Sequence, residues 1–305
     1  MKIASIDIGT NTVILLIAEI RQNKIYSIRN EYRVPRIGKG IESTKTISNG
    51  KITELIEILR EFNNLISSYK CEVTIATGTN AFRIALNATD IIKLAMDKLG
   101  IKINIATGRK EAEYSFLGAV SDYQDDDKNN LIMDIGGSST EIISGKSNNI
   151  TYINSFETGV VTGTEKFFKH DPPLLIEIRM YEEFLSSIFA NIDEILIERA
   201  IAIAGTPTTL ACIQKGIKEY YEDEVEGSIL KRDDVLRLKE ELSHISSKQI
   251  REKYTKVVYG REDVLLAGTI ILNKLMQLLN LTQVIVSTKG IRYGAIVEFI
   301  NLNCH

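Results

Sequence analysis

Two similar segments, 127 positions apart, each place an acid, a glycine and small polar residues between two apolar β-branched runs. The first is "KIASIDIGTNTVILLIAEI" at residues 2–20, and the second is "NLIMDIGGSSTEIISG" at residues 130–145. Glycine lets the backbone approach an anion closely, and successive main-chain N–H groups in a turn can bind one. The repetition therefore predicts two strand–turn–strand units that handle phosphate. For either copy alone, an ordinary hairpin with a solvated aspartate is the alternative.

Strands and helices alternate along the chain, a pattern typical of an α/β layered architecture. In residues 48–69 the apolar positions recur at helical spacing, and the β-branched runs indicate strands. The segment "EDVLLAGTIILNKLMQLLN" is apolar nearly all round, which predicts a deeply buried helix. The polar segment at residues 123–130 predicts a boundary between a first domain of residues 1–124 and a second of residues 125–305. The last helix could pack back on the first domain.

The composition restricts the classes of partner. The chain has 305 residues, a net charge of −3 and only three cysteines and three histidines, which are scattered. No global positive field would attract DNA or RNA, so a polyanion would have to bind in a local groove. No apolar run is long enough for a signal peptide or a membrane span. We therefore expect a cytoplasmic protein with reduced cysteines and no histidine-based metal site.

The two turns contain the first candidate site residues. An acid at the end of a strand can hold a hydrated Mg²⁺ beside a phosphate, because Mg²⁺ prefers oxygen ligands. The candidates in the first turn are Asp7, Gly9, Thr10 and Asn11. The second turn offers more donors, from Gly136, Gly137, Ser138 and Ser139, and it is flanked by the acids Asp134 and Glu141.

Other candidates lie where a strand gives way to a helix. Gly205 and Thr206 follow a strand and open a helix, so free amides and the positive helix end could face an anion. An ordinary threonine-capped helix start is the alternative. Arg83 follows another strand end, where a guanidinium suits bidentate phosphate contact, although a surface role is the simpler explanation for one arginine.

Glu111 lies in the first turn of a predicted helix, in the segment "GRKEA". First-turn glutamates commonly stabilise the helix dipole, and residue chemistry alone favours that role. The alternative is a general base that orients water onto a phosphate.

These segments resemble the exopolyphosphatase/guanosine pentaphosphate phosphohydrolase family of the actin–sugar kinase–chaperone superfamily. The resemblance covers essentially the whole chain, in its short two-domain form. It is carried by the order and spacing of "SIDIGTNTVILLIAE", "ATGTNAFRIALNATD", "ATGRKEAEYSFLGAV", "MDIGGSSTEIISG", "ETGVVTGTEKF", "IAGTPTTLA", "GREDVLLAGTIIL" and "VSTKGIRYGAIVE". It implies two actin-like, ribonuclease H-like α/β domains around an interdomain cleft.

The resemblance also implies roles for individual residues in a Mg²⁺-dependent hydrolysis, and the hard oxygen ligands would also suit Mn²⁺. Glu111 would activate the attacking water, and Asp134 and Glu141 would hold metal and water, with Asp7 facing them. The cleaved phosphate would lie against the backbone of the second turn, at residues 136–139. Phosphate contacts from the first domain would come from Thr10, Asn11 and Arg83.

Two positions depart from the family pattern. Lys110 stands where the family often has an acid, and Ser138 stands where it usually has a third glycine. Neither change removes Glu111 or Glu141, so we expect activity. Basic residues near turns of the first domain also predict a local track for a polyanion, formed by Arg33, Arg36, Lys39, Arg83 and Arg109.

The expected activity is exopolyphosphatase, the hydrolysis of the terminal phosphate of inorganic polyphosphate. Guanosine pentaphosphate is the alternative substrate, because the same chemistry would cleave it. An ATP-dependent kinase of the same superfamily and a non-enzymatic polyphosphate or nucleotide sensor are further alternatives. The sequence leaves a homodimer open.

Overall fold

The structure, a computed structural model, describes residues 1–123, 126–147, 149–192 and 195–303. It divides the chain into two compact units, of which unit 1 is Met1–Ser121 with Lys289–His305 and unit 2 is Asp122–Thr288. The predicted boundary between residues 124 and 125 lies outside the described residues. The C-terminal helix belongs to unit 1.

The first part of the chain forms five strands and five helices. In order they are β1 (Lys2–Ile8), β2 (Val13–Arg21), β3 (Lys24–Arg33), α1 (Ile41–Thr44), α2 (Asn49–Ser68), β4 (Val73–Gly78), α3 (Asn80–Ile84), α4 (Ala88–Leu99), β5 (Ile103–Ile105) and α5 (Gly108–Ala119).

The rest of the chain forms the remaining described elements. They are β6 (Asn129–Ile135), β7 (Thr140–Lys146), β8 (Asn149–Phe156), α6 (Val160–Phe167), α7 (Leu175–Phe189), β9 (Arg199–Ile203), α8 (Gly205–Lys215), α9 (Glu222–Val225), β10 (Ile229–Lys231), α10 (Arg232–Ser243), α11 (Ser247–Tyr254), a 3₁₀ helix (Thr255–Val258), α12 (Leu265–Leu278), β11 (Gln283–Val286) and α13 (Ile291–Asn303).

The sheets of the two units share a topology. In unit 1 the strand order is β3-β2-β1-β4-β5, and in unit 2 it is β10-β11-β9-β6-β7-β8. In each unit an antiparallel three-stranded meander, β1–β3 or β6–β8, is extended on its first strand by a parallel strand, β4 or β9. The repeated sequence segment therefore marks a repeated architecture.

Both faces of the unit 1 sheet are covered, which explains the continuous apolar run in β2. Successive side chains of a strand point to opposite faces. Leu15 and Ile17 accordingly join the core that includes α2 and α4, whereas Leu16 and Ala18 pack with Tyr293 and other residues of α13. A strand buried on both faces reads as hydrophobic throughout rather than alternating.

Unit 2 contains the buried helix that the sequence predicts. Most residues of α12 are buried, from Leu265 to Met276, and they belong to one large core with the strands of its sheet. The helix α7 begins at Leu175, after Pro172 and Pro173. No helix within the described ranges is long and apolar enough to cross a membrane.

Candidate active site

The first polar turn closes β1 onto β2. The main-chain N–H of Gly9 donates to the carbonyl of Thr12 at 2.8 Å. Thr10 and Asn11 are buried, and the side-chain oxygen of Asn11 has no hydrogen-bond partner in the described part of the chain. An unsatisfied buried polar group costs about 1–3 kcal/mol of stability. An ordinary hairpin keeps its polar side chains in water and has no such cost, so this turn is unlike a solvated hairpin.

The second polar turn has the same closure in unit 2. The N–H of Gly136 donates to the carbonyl of Ser139 at 3.0 Å. Within the described residues, the N–H groups of Gly137 and Ser139 donate to no protein acceptor. Main-chain donors of this kind are what an anion-binding turn offers to phosphate. Ser138 does not have a positive φ, so the departure from glycine introduces no left-handed strain.

A glycine behind the first turn holds it in place. Gly38 donates its N–H to the carbonyl of Thr10 at 2.9 Å, and Arg36 donates to the carbonyl of Asn11 at 3.0 Å. A Cβ at Gly38 would lie 2.2 Å from Cγ2 of Thr10. Arg36 adopts a left-handed φ of 53°, which indicates that its backbone is fixed by this contact.

A second glycine has the corresponding position in unit 2. Val160 and Val161, at the start of α6, donate to the carbonyls of Gly136 and Gly137 at 2.9 and 2.7 Å. A Cβ at Gly159 would lie 2.5 Å from both of these carbonyl oxygens. Sequence reasoning missed the roles of Gly38 and Gly159, although each follows the third strand of its meander, in "RIGKG" and "ETGVV".

Glu111 is part of a buried polar cluster in unit 1. Its carboxylate accepts a hydrogen bond from Nη1 of Arg83 at 2.5 Å. The start of α5 is capped by Thr107, whose hydroxyl accepts from the N–H of Lys110 at 3.1 Å. The Glu111 side chain therefore faces the cluster, whereas a glutamate that only stabilised the helix dipole could remain in water.

Burial is the main influence on the proton affinity of Glu111. Desolvation raises the pKa of this carboxyl above its ordinary value, while the Arg83 guanidinium and the Thr79 hydroxyl oppose the shift. A carboxylate that binds protons more tightly is a stronger base. Proton transfer is also most effective when the pKa of the base lies near the working pH, and a raised pKa moves Glu111 in that direction. This environment suits the role of general base.

Arg83 connects several parts of unit 1. Besides Glu111, its guanidinium donates to the carbonyl of Ala106 at 3.0 Å and to the side-chain oxygen of Asn80 at 3.2 Å. The structure thus brings together the residue expected to bind phosphate and the residue expected to activate water. The sequence did not predict that they are paired.

The other basic residues of the predicted track are partly engaged elsewhere. Arg33 pairs with Glu31 and Glu61 at 3.0 and 3.2 Å, and the exposed Arg109 pairs with Glu113 at 3.2 Å. These two arginines do not form an open basic surface.

Lys110 is turned towards the C-terminal helix. Its ammonium forms ion pairs with Glu298 of α13 and Glu113 of α5, and the hydroxyl of Tyr114 donates to Glu298 at 2.8 Å. Its departure from the family pattern therefore leaves the Glu111 carboxylate in its cluster.

The two acids of the second turn are cross-strand partners. The register of β6 and β7 places Asp134 directly opposite Glu141, and both are buried. Directly opposite residues have their side chains on one face, with Cβ atoms about 4.5–5.5 Å apart. The hydroxyl of Ser155 donates to Glu141 at 2.7 Å.

This pair fits a Mg²⁺ site, because Mg²⁺ usually takes one or two carboxylates and keeps several waters. No group of three acidic, histidine or cysteine side chains suited to a metal occurs among the described residues. The half-buried Asp7, expected as a further ligand, belongs to unit 1.

Gly205 and Thr206 open α8, as the sequence predicts. A Cβ at Gly205 would lie 2.5 Å from Cζ of Arg261, and Nη1 of Arg261 donates to the Gly205 carbonyl at 3.0 Å and to the Thr209 hydroxyl at 3.1 Å. Thr206 is buried against Gly268 of α12. Sequence reasoning did not single out Arg261, although it lies in the family-like segment "GREDVLLAG".

Comparison with models of known protein families gives a match over most of the chain. The model of the Ppx/GppA phosphatase family matches residues 16–302. The chain belongs to this family. The predicted family and its phosphatase class are thus confirmed.

Two relatives and one solved structure are similar over nearly the whole chain. The chain is 30% identical over 97% of its length to the bifunctional 3-dehydroquinate synthase/phosphatase of Fusobacterium nucleatum, and it spans only 46% of that protein. It is 28% identical over 90% of its length to exopolyphosphatase 2 of Mycobacterium tuberculosis, of which it spans 89%. The Aquifex aeolicus family member, a crystal structure, matches with a TM-score of 0.87 and 30% identity over 100% of this chain and 99% of that one. The predicted two-domain actin-like fold class is confirmed by this match.

Proposed function

We propose that this protein is an exopolyphosphatase that hydrolyses the terminal phosphoanhydride of inorganic polyphosphate and releases orthophosphate. The observation that carries the proposal is the buried Glu111 carboxylate held by Arg83 at 2.5 Å. The cluster combines a carboxylate of raised proton affinity with a guanidinium suited to phosphate. The carboxylate would activate the attacking water, and the guanidinium would bind the phosphate that the water attacks.

Glu111 would orient a water and accept its proton as the water oxygen bonds to the terminal phosphorus. The bond from that phosphorus to the bridging oxygen breaks, and the electron pair leaves with the shortened polyphosphate. Glu111 then returns its proton to solvent. Arg83 would neutralise phosphate charge, and the free amides of Gly137 and Ser139 would donate to phosphate oxygens.

We assign Mg²⁺, or Mn²⁺ in its place, to Asp134 and Glu141, with Asp7 as a further oxygen ligand. The ion would supply neutralisation of the negative charge on the phosphate. We also place the protein in the cytoplasm, which the free thiols of Cys71 and Cys212 support. A homodimer and the absence of a nucleic-acid partner remain predictions.

The decisive experiment measures orthophosphate release with Mg²⁺ from tripolyphosphate, long polyphosphate, guanosine pentaphosphate and ATP side by side. We expect the highest kcat/KM on a linear polyphosphate, because the chain has no tryptophan to stack on guanine. A higher kcat/KM on guanosine pentaphosphate than on every polyphosphate would identify the nucleotide as the substrate. Phosphoryl transfer that needs an acceptor would indicate a kinase, and binding without turnover would indicate a sensor.

A further inference from the structure

The guanidinium of Arg83 has more donors than its protein partners use. An arginine side chain carries five N–H groups. Nη1 donates to Glu111 at 2.5 Å and to the Ala106 carbonyl at 3.0 Å, and Nη2 donates to Asn80 at 3.2 Å. In the described part of the chain, one N–H on Nε and one on Nη2 remain after these three bonds.

The Arg83 side chain is also more exposed to solvent than the Glu111 side chain with which it pairs. The Arg83 side chain is 24% exposed and that of Glu111 is 11% exposed. A phosphate arriving from solvent can therefore meet the guanidinium while the carboxylate stays covered.

We infer that Arg83 bridges the base and the substrate, because its Nη1 keeps Glu111 while its Nε and Nη2 bind the terminal phosphate. Asn80 is a positioning residue that acts through Arg83. The inference rests on the proposed function. A phosphate that displaced Glu111 would leave a buried carboxylate without its charged partner, which is costly. A phosphate that takes the two remaining donors breaks no existing bond.

The bridge has a geometric consequence for catalysis. The guanidinium is planar and rigid, so one group would fix both the phosphate and the base that acts on the attacking water. Asn80 is the first residue of α3 and Arg83 the fourth, and the Asn80 side-chain oxygen holds the Nη2 end of that plane. Loss of Asn80 should let the plane rotate, and small misplacements of reacting groups reduce rates strongly.

The first test is the affinity for pyrophosphate, measured by calorimetry on the 305-residue protein. If Arg83 is a bridge, Glu111→Gln should bind pyrophosphate within about threefold of the wild type, because Glu111 and phosphate use different donors. Binding at least about tenfold tighter in Glu111→Gln would show that Glu111 competes with phosphate for Arg83 and would overturn the inference. Failure of pyrophosphate to bind the wild type would overturn it as well.

The second test is a double-mutant cycle with tripolyphosphate as the substrate. Asn80→Ala should lower kcat about tenfold and change KM less than about threefold. In an Arg83→Lys background, where the planar guanidinium is absent, Asn80→Ala should lower kcat less than about twofold. An equal loss in both backgrounds would reduce Asn80 to a structural role and overturn its assignment.

Asn63→Ala is the matched control. Asn63 also makes one side-chain hydrogen bond within unit 1, to the Leu99 carbonyl at 3.2 Å, and it is no part of the cluster. It should leave kcat unchanged. If Asn80→Ala fails to fold by circular dichroism, Asn80→Ser takes its place in the cycle. Normal pyrophosphate binding without phosphate release from any substrate would contradict the proposed function alone.

Discussion

Gly159→Ala should damage the second turn far more than it damages the fold. A Cβ at residue 159 would lie 2.5 Å from the carbonyl oxygens of Gly136 and Gly137, whereas ordinary contact begins at 3.4 Å. The difference, 3.4 minus 2.5 Å, means that the backbone must separate by close to 0.9 Å. Main-chain atoms cannot rotate away as a flexible side chain can, so the turn itself has to move.

The size of the effect follows from two magnitudes. Overpacking of this kind costs about 1–3 kcal/mol of stability, which corresponds to a Tm lower by roughly 2–12 °C. A shift of about 1 Å in groups that position a substrate can cost about a hundredfold in rate. We therefore expect kcat for tripolyphosphate to fall about a hundredfold in a protein that remains folded at 25 °C.

The assay compares phosphate release and thermal unfolding for Gly159→Ala and Gly50→Ala. Gly50 lies in α2 with no heavy atom within 4 Å of an added Cβ. Its replacement should leave kcat unchanged and should stabilise the protein by about 0.4–1 kcal/mol. Wild-type turnover in folded Gly159→Ala would refute the reasoning, because the turn would then tolerate displacement or contribute nothing to catalysis.

Four further outcomes are expected. Glu111→Gln should lower kcat at least about a hundredfold with KM nearly unchanged, and wild-type turnover would return Glu111 to a role in the helix dipole. Glu111 can act as a base only when it is deprotonated, and burial raises its pKa above 4.5, the ordinary value for a glutamate. The acid limb of the kcat/KM profile should therefore lie above pH 4.5, and it should vanish in Glu111→Gln. Exhaustive chelation should abolish phosphate release and Asp134→Asn should lose most of it, whereas full activity after chelation would remove the metal from the proposal. Affinity for long polyphosphate should fall steeply with salt, and a salt-independent affinity would contradict recognition by local charge.

The sequence predicted features that depend on neighbouring residues. The turns after β1 and β6 could be recognised because glycine and small polar residues interrupt apolar runs, and α12 could be recognised because it is apolar all round. The prediction that Glu111 is a base depended on the resemblance to the family. Taken alone, a glutamate in the first turn of a helix is explained by stabilisation of the helix dipole.

The features that the sequence did not predict are contacts between distant positions. Arg83 and Glu111 are 28 positions apart, and Lys110 and Glu298 are 188 apart. Side chains at such separations meet only through tertiary packing, which no local spacing encodes. Gly38 and Gly159 were missed for the same reason, because a glycine required by close approach looks like any loop glycine until its neighbour is known.

The packing of α5 against α13 affects the order in which parts of the protein can fold during synthesis. A Cβ at Gly118 of α5 would lie 2.2 Å from the Gly290 carbonyl, and one at Gly294 of α13 would lie 1.9 Å from the Tyr114 carbonyl, so the two backbones touch. At about 5–20 residues per second, a ribosome needs roughly 10–30 seconds to travel from the end of α5 to the start of α13. During that interval all of unit 2 emerges, while the helix bearing Glu111 lacks its cover. We therefore expect a nascent chain to acquire a folded unit 2 before it can hold the Glu111 cluster in place.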